Sequence, residues 1–258
     1  MRWLLALALA LPAVAGARSE AVVTPLKMID YEVDAQAREG KQPVVVFDLD
    51  ATLFDNRPRT LAILRAWAAL PENAGKASAQ RIEGLAVAQV AYAVKDTLAA
   101  AGVTDGADIE AITAFWWARF FGPWALHDGP MPGGPAYVNA LYAKGAFIVY
   151  LTGRDAPSML VPTTQSLALA GYPIGLPRTQ LIMKPDPKAD DEVFKDSVMR
   201  SLRLTGSVVG FFDNEPGNVN LMKKAFPKAR VVFLDTMHKP GAPAVDAGIP
   251  RVKDFVDR

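Results

Sequence analysis

The chain has 258 residues, enough for one large domain or a core domain with a smaller insert, and its 51% hydrophobic and 21% charged content excludes a disordered or fibrous chain. Its 28 basic and 27 acidic residues leave a net charge of +1, so bulk charge draws it neither to a nucleic-acid polymer nor to an anionic membrane. There is no cysteine, which excludes disulfides, thiol catalysis and thiolate metal sites.

Met1-Arg2 is a short positive start, Trp3 to Val14 is apolar apart from Pro12, and Ala15-Gly16-Ala17 offers small residues at a cleavage site. That layout predicts a secretory signal peptide over 1–17 and a periplasmic or secreted protein. The apolar run is shorter than the roughly 20 residues that span a bilayer, so no membrane span is expected after cleavage. A short helix is expected near Ile29–Arg38. Val44–Leu49 then reads as a strand buried on both faces, being a short apolar run rich in valine. From Asp55 to Asp128 the pattern is helical, with helices expected near Arg59–Leu70, Ala77–Ala101 and Asp108–Phe121. Proline and glycine bracket this stretch, at Arg57-Pro58 and again at Gly129 to Pro135. It is read as a separate helical module, residues 57–128, inserted in a core formed by 18–56 and 129–258. Further strands are expected at Ala146–Leu151, Gln180–Met183, Ser207–Phe212 and Arg230–Leu234. Strands alternating with helical stretches predict an α/β fold, a three-layer α/β/α sandwich around a parallel sheet.

The strand ends carry the chemistry. The first strand ends Asp48-Leu49-Asp50-Ala51-Thr52, the second Thr152-Gly153-Arg154-Asp155 and the fourth Asp213-Asn214-Glu215, while the third leads to Lys184 and Lys195. In open parallel sheets that edge binds ligands. Three carboxylates with other oxygen donors suit Mg²⁺, which relieves their repulsion. One carboxylate can then attack phosphorus while another moves protons. The Thr152 hydroxyl and Gly153 amide can hold phosphoryl oxygens, and a lysine offsets transition-state charge.

These residues resemble the haloacid dehalogenase-like hydrolase superfamily over about residues 43–235, with the insert in the place of that family's helical cap. The first motif is matched by Asp48, Asp50 and Thr52, the second by Thr152, and the fourth in part by Asp213 to Asn218. The resemblance implies Asp48 as nucleophile and Asp50 as general acid/base. It implies Mg²⁺ held by the Asp48 carboxylate, the Asp50 backbone carbonyl and Asp213. Asp50 also points to phosphatases or mutases rather than dehalogenases. The expected activity is hydrolysis of a small phosphorylated substrate. A phosphotransferase using the same nucleophile and a non-catalytic binding protein are the alternatives. Two departures stand out: Ala51 replaces the usual glycine, and Asn214 stands where many members carry a second aspartate. For the lysine, Lys195 is favoured over Lys184, since it would open a helix beside the sheet edge.

Several other residues have plainer expectations. Arg154 is read equally as a phosphate contact or as half of an ion pair. Asp155 is expected as a helix cap, Asp55 as a turn residue. The cluster Phe115, Trp116, Trp117, Phe120, Phe121 and Trp124 is expected to pack the insert's own core rather than line a pocket. His127 and His238 show no ligand spacing.

Overall fold

A computed structural model describes residues 23–257; the expected leader at 1–17 lies outside the described residues. Helix α1, Pro25–Arg38, starts a turn before the expected Ile29. Thr24 caps it by accepting from the Lys27 amide at 3.3 Å, and Pro25 supplies a first-turn residue with no amide to satisfy. Strand β1, Pro43–Phe47, is buried throughout. A two-residue strand β2, Phe54–Asp55, pairs antiparallel with β3, Gly129–Pro130.

Between them lie helices α2 (Arg57–Ala68), α3 (Ala77–Glu83), α4 (Val94–Ala100) and α5 (Gly106–Phe120). The single helix expected over Ala77–Ala101 is therefore two helices joined by a short 3₁₀ turn at Val87–Gln89. Leu85, Val90, Val94 and Leu98 are all buried in the insert. On one straight helix, Leu85 and Val90 would point about 140° apart, so the chain must bend to bury both. The remaining elements are α6 (Gly134–Ala143), β4 (Phe147–Asp155), α7 (Ala156–Leu169), β5 (Thr179–Lys184), α8 (Asp191–Thr205), β6 (Ser207–Asp213), α9 (Pro216–Ala225), β7 (Arg230–Leu234) and β8 (Arg251–Val252).

Five parallel pairings join six strands into one sheet in the order β5-β4-β1-β6-β7-β8, with β1 between β4 and β6. Side chains alternate along β1 and so feed two cores. Val45 and Phe47 pack with α1 and α6 through Ile29, Val33, Val138 and Leu141. Val44 and Val46 pack on the other face with α8 and α9 through Val198, Leu202, Val219 and Met222. The expected three-layer α/β/α sandwich is what the chain forms. The insert has a third core of its own, built on Leu61, Leu64, Trp67, Ile82, Leu98 and Trp116. Register aligns Phe47 with Tyr150 of β4 and with Phe212 of β6, so the residues that follow emerge at one sheet edge. No helix among the described residues is long and apolar enough to cross a membrane.

Candidate active site

Asp48 follows the last residue of β1, and its amide still donates to the Phe212 carbonyl at 2.9 Å, so its side chain is fixed beside β6. Asp213 ends β6. Lys195, in the second turn of α8, reaches both: its Nζ donates to Asp48 Oδ1 at 2.8 Å and to Asp213 Oδ2 at 2.6 Å. All three are buried. The helix is anchored by Asp190, which caps it at the Val193 amide. Lys184 takes no part, because it pairs with Asp191 at 2.7 Å. Asp213 is held in turn by the Glu215 amide and the Asn218 side-chain amide.

Asp50 belongs to a second cluster. Arg154 donates to it through Nε at 2.8 Å and Nη2 at 2.9 Å, and Arg59 through Nη2 at 2.8 Å. Both arginines also grip Asp128: Arg59 Nε at 2.8 Å and Arg154 Nη2 at 2.7 Å, with a further Arg59 Nη2 contact. Two carboxylates and two guanidiniums thus form a charge-balanced hub, buried at Arg59, Arg154 and Asp128 and partly open at Asp50. Of the five N–H groups that an arginine carries, Arg154 spends four on Asp50, Asp128 and the Thr163 hydroxyl. Of its two sequence readings, the structure places it in the ion pair. Arg59 and Asp128 were not among the expected site residues. The signal available was a charged residue on the buried face of α2 and an acid directly before Gly129-Pro130 at the insert's exit.

Charge explains how the two clusters titrate. Burial pushes Asp48 up to about 7, against the pull of Lys195, and the neighbouring Asp213 adds to the rise. Burial would also raise Asp50, but Arg154 and then Arg59 outweigh it and hold its carboxyl well below the usual carboxylate range. Lys195 loses from burial and gains more from Asp213 and Asp48, so it stays charged. With Asp48 ionised, the Asp48–Lys195–Asp213 cluster holds two carboxylates against one ammonium in a buried place, an excess of one negative charge that the raised Asp48 value reflects.

A divalent cation would offset that surplus. Among the described residues, no three acidic or histidine side chains converge as a metal cage. Two hard carboxylates are nevertheless compatible with Mg²⁺, which is commonly bound by one or two carboxylates, with water and substrate phosphate completing its shell. His127 stacks on Trp124, and His238 lies by the Thr236 carbonyl, so neither faces this cluster.

Thr152 is buried at the end of the apolar part of β4, and its hydroxyl accepts from the Arg154 amide at 3.2 Å. A Cβ at Gly153 would meet the Asp191 carboxylate, so any side chain there would require that exposed carboxylate to move. Asp155 caps α7 at the Ser158 amide, while Asp55, expected as a turn residue, ends β2 and accepts from the Arg57 amide just beyond it. Asn214 has a task that an aspartate could not perform: its Oδ1 accepts from Thr52 Oγ1 at 3.1 Å while its Nδ2 donates to the Met237 carbonyl at 2.7 Å. Ala51 takes the left-handed backbone, φ 56°, where glycine is the unstrained residue. The aromatic cluster divides. Trp116 is buried, and Phe115, Phe120 and Trp124 pack on the insert core as expected, but Trp116 and Phe120 also border a cavity, against the expectation. Trp117 and Phe121 instead stay exposed and line that cavity, which has about 460 Å³ and reaches Asp48, Asp50 and Lys195.

No family model matches the chain, and no curated protein matches it significantly. Among solved structures it is similar to a candidate phosphatase from Clostridium difficile at 11% identity, covering 83% of this chain and 94% of that one with a TM-score of 0.54. A class C acid phosphatase from Bacillus anthracis with tungstate bound matches at 16% identity, over 84% of this chain and 76% of that one, TM-score 0.47. A subfamily IA hydrolase of the haloacid dehalogenase superfamily from Geobacter sulfurreducens matches at 14%, over 83% and 93%, TM-score 0.46. At these identities the likeness, carried by the first of the three, is one of fold.

Proposed function

We propose that the chain is a Mg²⁺-dependent phosphomonoester hydrolase that works through a phosphoryl group on Asp48. The observation that carries this reading is the pair Asp48 and Asp213 sharing Lys195 at the ends of adjacent parallel strands, with Asp50 two residues on. The Asp48 carboxylate, the Asp50 carbonyl and Asp213 would hold the cation, which supplies positive charge against the phosphoryl oxygens.

In the first step an Asp48 carboxylate oxygen attacks phosphorus, the bond to the ester oxygen breaks, and Asp50 in its protonated form gives the leaving alcohol its proton. Lys195, fixed by two ion pairs, keeps a positive charge beside the nucleophile and lowers the repulsion between carboxylate and phosphate. The Thr152 hydroxyl and the Gly153 amide lie next to the nucleophile's strand and are assigned to phosphoryl oxygens. In the second step water attacks the phosphorus of the aspartyl-phosphate, Asp50 takes the water's proton, and Asp48 is freed with phosphate. The two arginines that hold Asp50 ionised support this base half more directly than the acid half. Residues 57–128 are assigned as a cap that limits water at the site. The leader-like composition of 1–17 supports export to the periplasm or medium as part of the same proposal.

The test is release of p-nitrophenol from p-nitrophenyl phosphate by purified protein. Hydrolysis is expected with added Mg²⁺ and is expected to vanish with a chelator and return on re-addition. Failure to hydrolyse any of a broad set of phosphate esters with Mg²⁺ present would sink the reading.

A further inference from the structure

Three large aromatic side chains at the cavity are left open to solvent. Trp117 is 58% exposed, Tyr92 45% and Phe121 44%. Side chains of this size rarely stay uncovered together without a ligand to cover them. Trp117 and Phe121 lie one helical turn apart, where α5 ends, and their rings stack with centroids 5.7 Å apart. Behind them Trp116 and Phe120 each lie 5.0 Å from their exposed neighbour. Phe120 in turn sits under the Arg59 guanidinium at 4.3 Å. The aromatic wall therefore begins at the ion-pair hub around Asp50 and runs outward from it.

The wall's own polar atoms are few, chiefly the Trp117 indole N–H and the Tyr92 hydroxyl, with Asn56 and Lys95 elsewhere on the lining. Trp116 Nε1 already donates to the Thr60 hydroxyl at 3.2 Å, and the Thr113 hydroxyl to the Ile109 carbonyl at 2.6 Å. Ala91, Ala93 and Val94 continue the lining beside Tyr92. A polyhydroxylated alcohol entering here would lose water from its hydroxyl groups and find few replacements. A planar ring would gain stacking and lose little. The cavity, at about 460 Å³, also has the size of a small-molecule site rather than of a phosphate alone.

The geometry points to phosphomonoesters whose alcohol carries a planar aromatic group as the substrates of this site, with the ring against Trp117 and Phe121 and the phosphate at Asp48. This rests on the phosphatase reading above.

The experiment compares esters of primary alcohols, so that leaving groups are matched: phenethyl phosphate, adenosine 5′-monophosphate and glucose-6-phosphate, each with Mg²⁺. At least one aromatic ester is expected to exceed glucose-6-phosphate in kcat/KM by about tenfold, in line with one stacked ring. In Trp117→Ala and Phe121→Ala that ratio is expected to shrink toward one, chiefly through KM. Both side chains are exposed, so the variants should fold, which circular dichroism checks. A preference for phenethyl phosphate identifies a simple aryl alcohol, and one for the nucleotide a nucleoside. The inference is overturned if glucose-6-phosphate is used as well as both aromatic esters, or if the ratio is unchanged in both variants. If no ester is hydrolysed, the phosphatase reading alone has failed. The aromatic site is then read by tryptophan fluorescence with adenosine and 2-phenylethanol: saturable quenching lost in Trp117→Ala upholds it, and no saturable quenching overturns it.

Discussion

Replacing Arg59 by methionine removes the guanidinium that joins the insert to the sheet edge. Four hydrogen bonds go with it: Nε to Asp128, Nη2 to Asp50 and to Asp128, and Nη1 to the Phe120 carbonyl at 3.1 Å. Arg154 is then left facing two carboxylates, and the hub passes from neutral to one net negative charge. Asp128 is fully buried and Arg154 nearly so, with side chains 0% and 2% exposed, so water can offset the change only at the partly exposed Asp50. Breaking one partner out of a buried ion cluster costs about 3–5 kcal/mol. For a chain of this length that corresponds to a fall in Tm of about 10 °C. The double variant Arg59→Met/Asp128→Leu restores a neutral pair, Arg154 with Asp50, and is expected to be more stable than either single variant. Thermal and urea unfolding followed by circular dichroism would measure all four corners of the cycle. The coupling should reach at least about 1 kcal/mol, as expected for residues in one network. A fall in Tm of under about 2 °C for Arg59→Met, against the shift this burial implies, or strictly additive losses, would refute the account of the hub.

The metal-free protein should answer to pH through Asp48. Its folded value of about 7 lies above the unfolded value near 4, so its charge opposes folding above about 7, and that penalty fades as pH falls toward about 4. Metal-free Asp48→Asn is therefore expected to melt higher than the wild type at about pH 8, with the gap closing near pH 4; an equal gap at both would contradict this. Asn214→Asp sets a carboxylate against the Met237 carbonyl in place of a donor and should cost about 1–3 kcal/mol; an unchanged urea midpoint would count against the linking role of Asn214. At Ala51, with φ 56°, valine should be at least about 1 kcal/mol less stable than glycine, and equal midpoints would show that the backbone carries no such strain.

The strands were legible because a buried parallel strand leaves a dense apolar signature. Val44–Phe47, Phe147–Leu151, Val208–Phe212 and Val231–Leu234 each appear as such runs, and each lies in the sheet. The groups gathered by the strand ends were legible for the same reason, since a strand's last residue fixes where the next side chain emerges. The Asp50–Arg59–Asp128–Arg154 hub was not. Its members are 9, 69 and 26 residues apart along the chain, and nothing local marks Asp128 as buried. Arg154 alone is compatible with phosphate or with carboxylate, and its ion pair depends on the position of Asp128, which lies 26 residues away along the chain. The break after Glu83 was hidden because alanines suit one long helix, while the four buried residues that follow require a bend. The split among the insert's aromatics depends on where α5 ends relative to the sheet, which spacing does not reveal.

The central claim is that Asp48 is the nucleophile, and the direct measurement is the hydrolysis rate of Asp48→Asn and Asp48→Ala beside the wild type. All three would be assayed in Mg²⁺ on the best ester found, with folding checked by circular dichroism. The account predicts folded variants slower by about 10³-fold or more, the scale seen when a nucleophile is removed. A folded Asp48→Ala that keeps activity within about tenfold of the wild type, far short of that scale, would contradict it.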